Sequence, residues 1–498
     1  MNDMNLYEAV RLFHEKEHQN GSNYFDIFAC KIKFSFDSSS YLNSLKQYKE
    51  KGAVDDCLKV IIHEYFHYFQ RAYSTYGFYF QMLERYKEVL VINMVKHILY
   101  HYKNIDGADR SVIDVIQTDS RLRNDNLINK WLFEWIDLYL LNSYVNDSPE
   151  KYLADCEIMN QIRPDFIGLF ISKKYAAIDK QLQAYLKGIF GGFPYKRYKT
   201  IDSSSENKSR ILYMESQGMK IKVVNMFTTK GILESYSKAA EFFLIKEELS
   251  LDYLRGLSFS AKNNDYYFTL VFAAQNIPAK NSTEFLLTFL AICDIVISPP
   301  CIPYLSMLRE EYPSITEFDP GYRFHCVWEP MTRIKPITSL EEDYVRYTQE
   351  LCQALGWPTP MDIAEEIVSK CSYMESSDDI MFRVFYQSQQ LRLKEPYCFL
   401  EITSFLTYLH NNYPYCPLVE LSDMVLINHG INDEVYFPLE YLNRQYWGNT
   451  LTRNTTEVMF PYHTVPHVLD NFKELFERLN EEAVGLRINN IKVVNPSN

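Results

Sequence analysis

The chain has 498 residues, 47% of them apolar and 15% aromatic, which is enough to bury a large core and excludes a disordered or low-complexity protein. The formal charge is −13, with no Lys/Arg-rich run to reverse it locally, so nucleic acid is not expected as a partner. None of the ten cysteines forms Cys-x-x-Cys, a usage that suits buried thiols in a reducing, cytoplasmic compartment better than a disulfide framework.

The first residues have neither a basic head nor an apolar core, so no signal peptide is expected. A short helix is predicted over 5–18, then a strand or hairpin over 24–36, where aromatic and β-branched residues partly alternate. A long helix follows over about 54–76, with Asp55 and Asp56 at its positive end and Gly77 as a stop or kink. Residues 78–103 read as another long helix. Further helical stretches run to about 190, among them 129–141 and 165–186. A Gly-rich loop at 188–194 and a polar segment at 203–208 come next.

Residues 220–229 read as a strand that runs straight into a helix over 231–242. This strand and the one at 24–36 are expected to share one sheet. Helices dominate 249–311, and the apolar run near 285–297 is too short and too interrupted, by Asp294, to be a membrane span. An acid inside such a helix needs a partner. A Pro-punctuated stretch at 312–340 suggests a boundary, followed by helices at about 341–355, 361–371, 378–392, 397–410 and 466–483.

One stretch in this series stands out. Residues 60–70 contain His63-Glu64-Tyr65-Phe66-His67. Two histidines four apart on a helix stand one turn apart on one face, so both imidazoles can reach a single cation. Neutral imidazole is a good Zn²⁺ donor, and Glu64 is placed to act as general base on a water held by the ion. The same pattern occurs at His14-Glu15-Lys16-Glu17-His18, but its polar flanks read as a solvated helix end. His97 and His101 share the four-residue spacing without the glutamate and read as an ordinary helix surface.

Two histidines need a third ligand. Glu84 and Glu88 lie at a short spacing but among charges that suit a solvated helix face. Glu234 fits better: its helix is rich in small residues (Ser235, Ala239, Ala240) that permit close approach to the His63 helix. Glu241, seven residues on, shares its face and is expected to anchor an imidazole N–H; the alternative is that Glu234 pairs with Lys238 or simply lies on a helix surface. Gln70, one turn past His67, either bonds a ligand or lines the cleft, or else only caps the polar side of the helix.

The two windows, 63–70 and 231–239, resemble zinc metallopeptidases of the gluzincin type. That resemblance implies a zincin-like catalytic core, peptide-bond hydrolysis, Zn²⁺ held by His63, His67 and Glu234, and Glu64 as base. The expected fold is mainly α (α+β), a zincin-like core with a small sheet plus a large helical C-terminal region. The expected division is 1–250 catalytic, with a helical insertion at about 78–200, then 251–335 packing on the core, then 336–498 as a C-terminal helical domain. The partners expected are a protein or peptide substrate and a regulatory protein at the C-terminal region. The rival reading is a non-enzymatic helical binding or scaffold protein whose metal is structural or absent.

Overall fold

The structure is a computed structural model that describes residues 5–17, 24–26, 31–36, 51–102, 110–146, 229–244, 250–256, 268–300, 320–376, 380–397 and 456–459, with a few isolated positions between them. The described elements, in order, are α1 (Leu6–Glu17), β1 (Tyr24–Asp26), β2 (Lys31–Phe34), α2 (Asp56–Tyr73), α3 (Thr75–His101), α4 (Val112–Thr118), α5 (Ser120–Arg123), α6 (Asn126–Asn146), α7 (Thr229–Leu244), α8 (Leu251–Gly256), α9 (Phe268–Asn276), α10 (Ser282–Val296), α11 (Pro320–Met331), α12 (Leu340–Leu355), α13 (Pro360–Lys370), α14 (Ile380–Lys394) and β3 (Thr456–Met459).

At the centre lies α10, whose residues from Phe285 to Val296 are all buried. A helix that is apolar on every face needs neighbours all round, and α7, α9, α11 and α12 supply them. This is why the run at 285–297 is so apolar. Among the described residues no helix is long and apolar enough to cross a membrane. The acid in that run has its partner: Arg392 of α14 donates to both Asp294 oxygens, at 2.6 and 2.8 Å, and the Tyr344 hydroxyl of α12 joins them.

Next to α10 lies α7, and α2 packs on α7. Their contact combines large rings from both helices with small residues of α7. Phe66 is 1% exposed and meets the Tyr236 ring edge-on at 4.8 Å. Ser235, Ser237 and Ala239 are completely buried. Small residues let the backbones approach, and burying one such phenylalanine contributes roughly 1.5–3 kcal/mol.

The helix expected over 54–76 ends earlier, at Tyr73. Asp55 caps its start by accepting from Leu58 N. Ser74 ends it with extended backbone and at once caps α3, accepting from Gly77 N at 2.8 Å. Gly77 is therefore not the stop itself. It lies in the first turn of α3, where an added Cβ would come within 2.2 Å of the Arg71 carbonyl oxygen.

The expected α+β core is not what forms. The described region is 80% helical, and the two site-bearing helices pack on each other, with β1 and β2 touching only α2. The extended residues are confined to a short antiparallel ladder, β1-β2-β3, with Phe25 opposite Ile32 and Ile32 opposite Val458. The strand at 24–36 thus pairs with 456–459, far along the chain, and the ladder contributes no residue to the cluster described next. The proposed partner strand at 220–229 lies almost wholly outside the described residues, as do the segments at 165–186, 188–194, 203–208, 397–410 (apart from its first residue) and 466–483. The physical reason for the difference is that α7 is packed between two helices, α2 and α10, so its buried faces are covered by helices and not by strands.

Candidate metal centre

His63 and His67 stand one turn apart on α2, their ring centroids 4.9 Å apart and their planes nearly perpendicular. Glu234 reaches them from the second turn of α7. Its Oε2 lies 3.0 Å from His63 Nε2 and 3.3 Å from His67 Nε2. Among the described residues these three form the group whose donor atoms converge, all within 4.8 Å of one another. Their side chains are 14–17% exposed, so the cluster is half-buried and not sealed.

The outer nitrogens fix the rings. Gln70 Nε2 donates to the Leu233 carbonyl at 2.8 Å and to Ser237 Oγ at 3.0 Å. A carbonyl can only accept, so the amide is turned with Oε1 toward His67. His67 Nδ1 lies 3.0 Å from that oxygen and 3.2 Å from Ser237 Oγ, and so carries the hydrogen. On His63, Nδ1 faces Glu241 Oε2 at 3.6 Å, and Lys238 holds the other oxygen of Glu241 at 2.6 Å.

Both Nδ1 atoms thus face acceptors, and both Nε2 atoms face a single carboxylate oxygen. A neutral ring protonated at Nδ1 would aim its Nε2 lone pair at that oxygen, which is repulsive. Two arrangements resolve this: a proton on each Nε2, or a cation between the nitrogens and the carboxylate. The 3.0 Å separation suits a hydrogen bond, and the 3.3 Å separation suits the second arrangement. Donors about 2.0–2.1 Å from a tetrahedral ion stand about 3.3 Å from one another.

At His63, the electrostatics fit the first when no ion is present. Burial, the largest influence on His63, pulls its pKa down, but hydrogen bonds to Glu234 and Glu241 and the charges of Glu234 and Glu64 outweigh it and raise it to about 9. Burial pushes Glu234 the other way, upward. The charge of His67 and the bond to His63 overcome it and hold the carboxyl well below the usual range.

Of the residues singled out by sequence, His63, His67 and Glu234 are brought together. Gln70 and Glu241 stand at the outer nitrogens, and Glu64 is buried one position along from His63. Lys238 pairs with Glu241 and not with Glu234. Glu84 and Glu88 fall in α3 at positions whose side chains lie outside the described ones, as does that of His14 in α1. Sequence reasoning missed Ser237 and the Leu233 carbonyl. Ser237 follows Glu234 by three, on the same helix face, which was the available signal.

Comparison with protein-family models, with curated proteins and with solved structures finds no match to this chain, so the reading of the site rests on its own residues.

Proposed function

We propose that the chain is a zinc-dependent hydrolase of peptide bonds, with His63, His67 and Glu234 as ligands and Glu64 as general base. The observation that carries it is the convergence of both Nε2 atoms on one Glu234 oxygen while both Nδ1 atoms face protein acceptors. Two imidazoles and one carboxylate are the donor set of a catalytic zinc, which keeps a fourth position for water or substrate. The ion, when bound, supplies an acidified water and polarises a carbonyl.

The chain's own residues do the rest. Gln70 and Glu241 hold the rings so that Nε2 points at the ion. Glu64 takes up a proton at its carboxylate and returns it to the leaving amine. Peptide as the substrate class comes from the resemblance of residues 63–70 and 231–239 to gluzincin-type peptidases.

A second reading has its own support: the same three side chains close into a histidine–carboxylate cluster without any ion, which suits a helical binding protein. Zinc content and activity separate the two. Elemental analysis should find one zinc lost in a His63→Ala/His67→Ala variant, and Glu64→Gln should keep the zinc and lose peptidase activity. Equal zinc in both proteins sinks the metal centre; full activity in Glu64→Gln sinks the mechanism.

A further inference from the structure

The second histidine pair has acquired a carboxylate. His97 and His101 lie in the last two turns of α3, with ring centroids 4.5 Å apart, closer than the 4.9 Å between His63 and His67. Asp125 comes to them from the start of α6. Its Oδ1 caps that helix, accepting from Leu127 N at 2.8 Å and Ile128 N at 3.1 Å. That leaves Oδ2 pointing at α3, where it lies 2.9 Å from His97 Nε2 and also accepts from the Tyr102 hydroxyl. Trp131 stands edge-on to His97 at 5.8 Å and limits how that ring can turn.

We propose that His97, His101 and Asp125 form a second site, for a divalent transition ion of the zinc and copper class. Two imidazoles and a carboxylate favour such ions over calcium or magnesium, which prefer oxygen alone. The three donors do not yet converge: among the described residues, the donor atoms that lie within 4.8 Å of one another are those of the His63 group. His101 closes the set by turning its ring, which is exposed, and His97 gives up to solvent the Nε2 proton it shares with Asp125. Water fills the fourth position on the exposed side. The ion would add a tie between the end of α3 and the start of α6, which the hydrogen bonds of Asp125 and the Trp131–His97 contact already hold together.

The test is a titration of the full chain, stripped by chelator, with Zn²⁺ and separately with Co²⁺, whose absorption reports imidazole ligation. The wild type is expected to take up two equivalents, and His101→Ala one. The His63→Ala/His67→Ala variant should still take up the equivalent that His101→Ala loses. Because His101 is exposed, its replacement leaves the core intact. If the other variant does not fold, the comparison of wild type with His101→Ala decides alone. Uptake in His101→Ala equal to that of the wild type overturns the proposal. A chain that loses its only equivalent in His101→Ala supports this site and overturns the first one, so the two failures are distinguishable.

Discussion

Gln70 Oε1 stands 3.0 Å from His67 Nδ1, and the amide cannot turn away because its nitrogen is committed to the Leu233 carbonyl and Ser237. The side chain that ties α2 to α7 is therefore also the one that sets which nitrogen of His67 faces Glu234. Gln70→Leu keeps the volume and removes both roles. Zinc affinity should fall roughly 10- to 100-fold, the usual effect of losing a partner behind a metal-binding histidine. The metal-free protein should also lose about 1–3 kcal/mol, since buried acceptors on α7 go unmatched. A zinc competition assay and urea unfolding read the two effects; unchanged affinity would mean that His67 is oriented by something else.

Gly77 holds no unusual backbone angle, so its importance is purely one of space. An alanine Cβ would sit 2.2 Å from the Arg71 carbonyl oxygen and 2.6 Å from its Cα, all backbone atoms that cannot swing aside. Gly77→Ala should destabilise by about 1–3 kcal/mol, the range for forced overpacking. It should also weaken zinc binding, because the strain falls one turn beyond His67. A midpoint within error of wild type in denaturant would show that α3 can shift off α2 freely.

How much of this was legible in the sequence follows the range of the interactions. The His63 to Gln70 stripe is a local pattern, fixed by helical periodicity, and its geometry could be drawn without coordinates. Glu234 was reachable because small residues around it announce a close helix contact, and Glu241 because seven residues return to the same face. The sheet was misjudged because strand pairing is set by distant partners: 24–36 finds 456–459, and nothing in either stretch names the other. The break at Ser74 was missed because Gly77 drew attention as the punctuation. A serine that accepts a hydrogen bond from the backbone N–H three residues on is a stronger helix start.

Asp294 and Arg392 are 1% and 2% exposed, deep among α10, α12 and α14. Removing one partner leaves a buried charge, so Arg392→Met should cost about 3–5 kcal/mol. Joint replacement, Asp294→Leu with Arg392→Met, should recover most of that, because apolar side chains of similar size satisfy the same cavity. Thermal or urea unfolding of the three variants completes the cycle. Equal losses in single and double variants would show that the pair is not the energetic unit.

Asp343 supplies a stability that depends on pH. Ser339, the cap residue of α12, makes no side-chain cap bond. Asp343 Oδ2 accepts instead from Thr338 Oγ1 at 2.6 Å and Thr338 N at 2.8 Å. Those bonds, the hydroxyl first, with Arg346 nearby, outweigh burial and hold its carboxyl down at about 2. The unfolded value is about 4. The folded pKa lies below it, so the stabilisation is present above about pH 4 and is lost as pH falls through about 2. Asp343→Ala should therefore be less stable than wild type by about 1 kcal/mol at neutral pH, the scale of a lost cap. That gap should close between pH 4 and 2, as the unfolded chain takes up its proton and the folded one begins to. Urea midpoints for both proteins across that range are the measurement. A gap that persists undiminished at pH 2 would mean that the loss comes from packing and not from the charge.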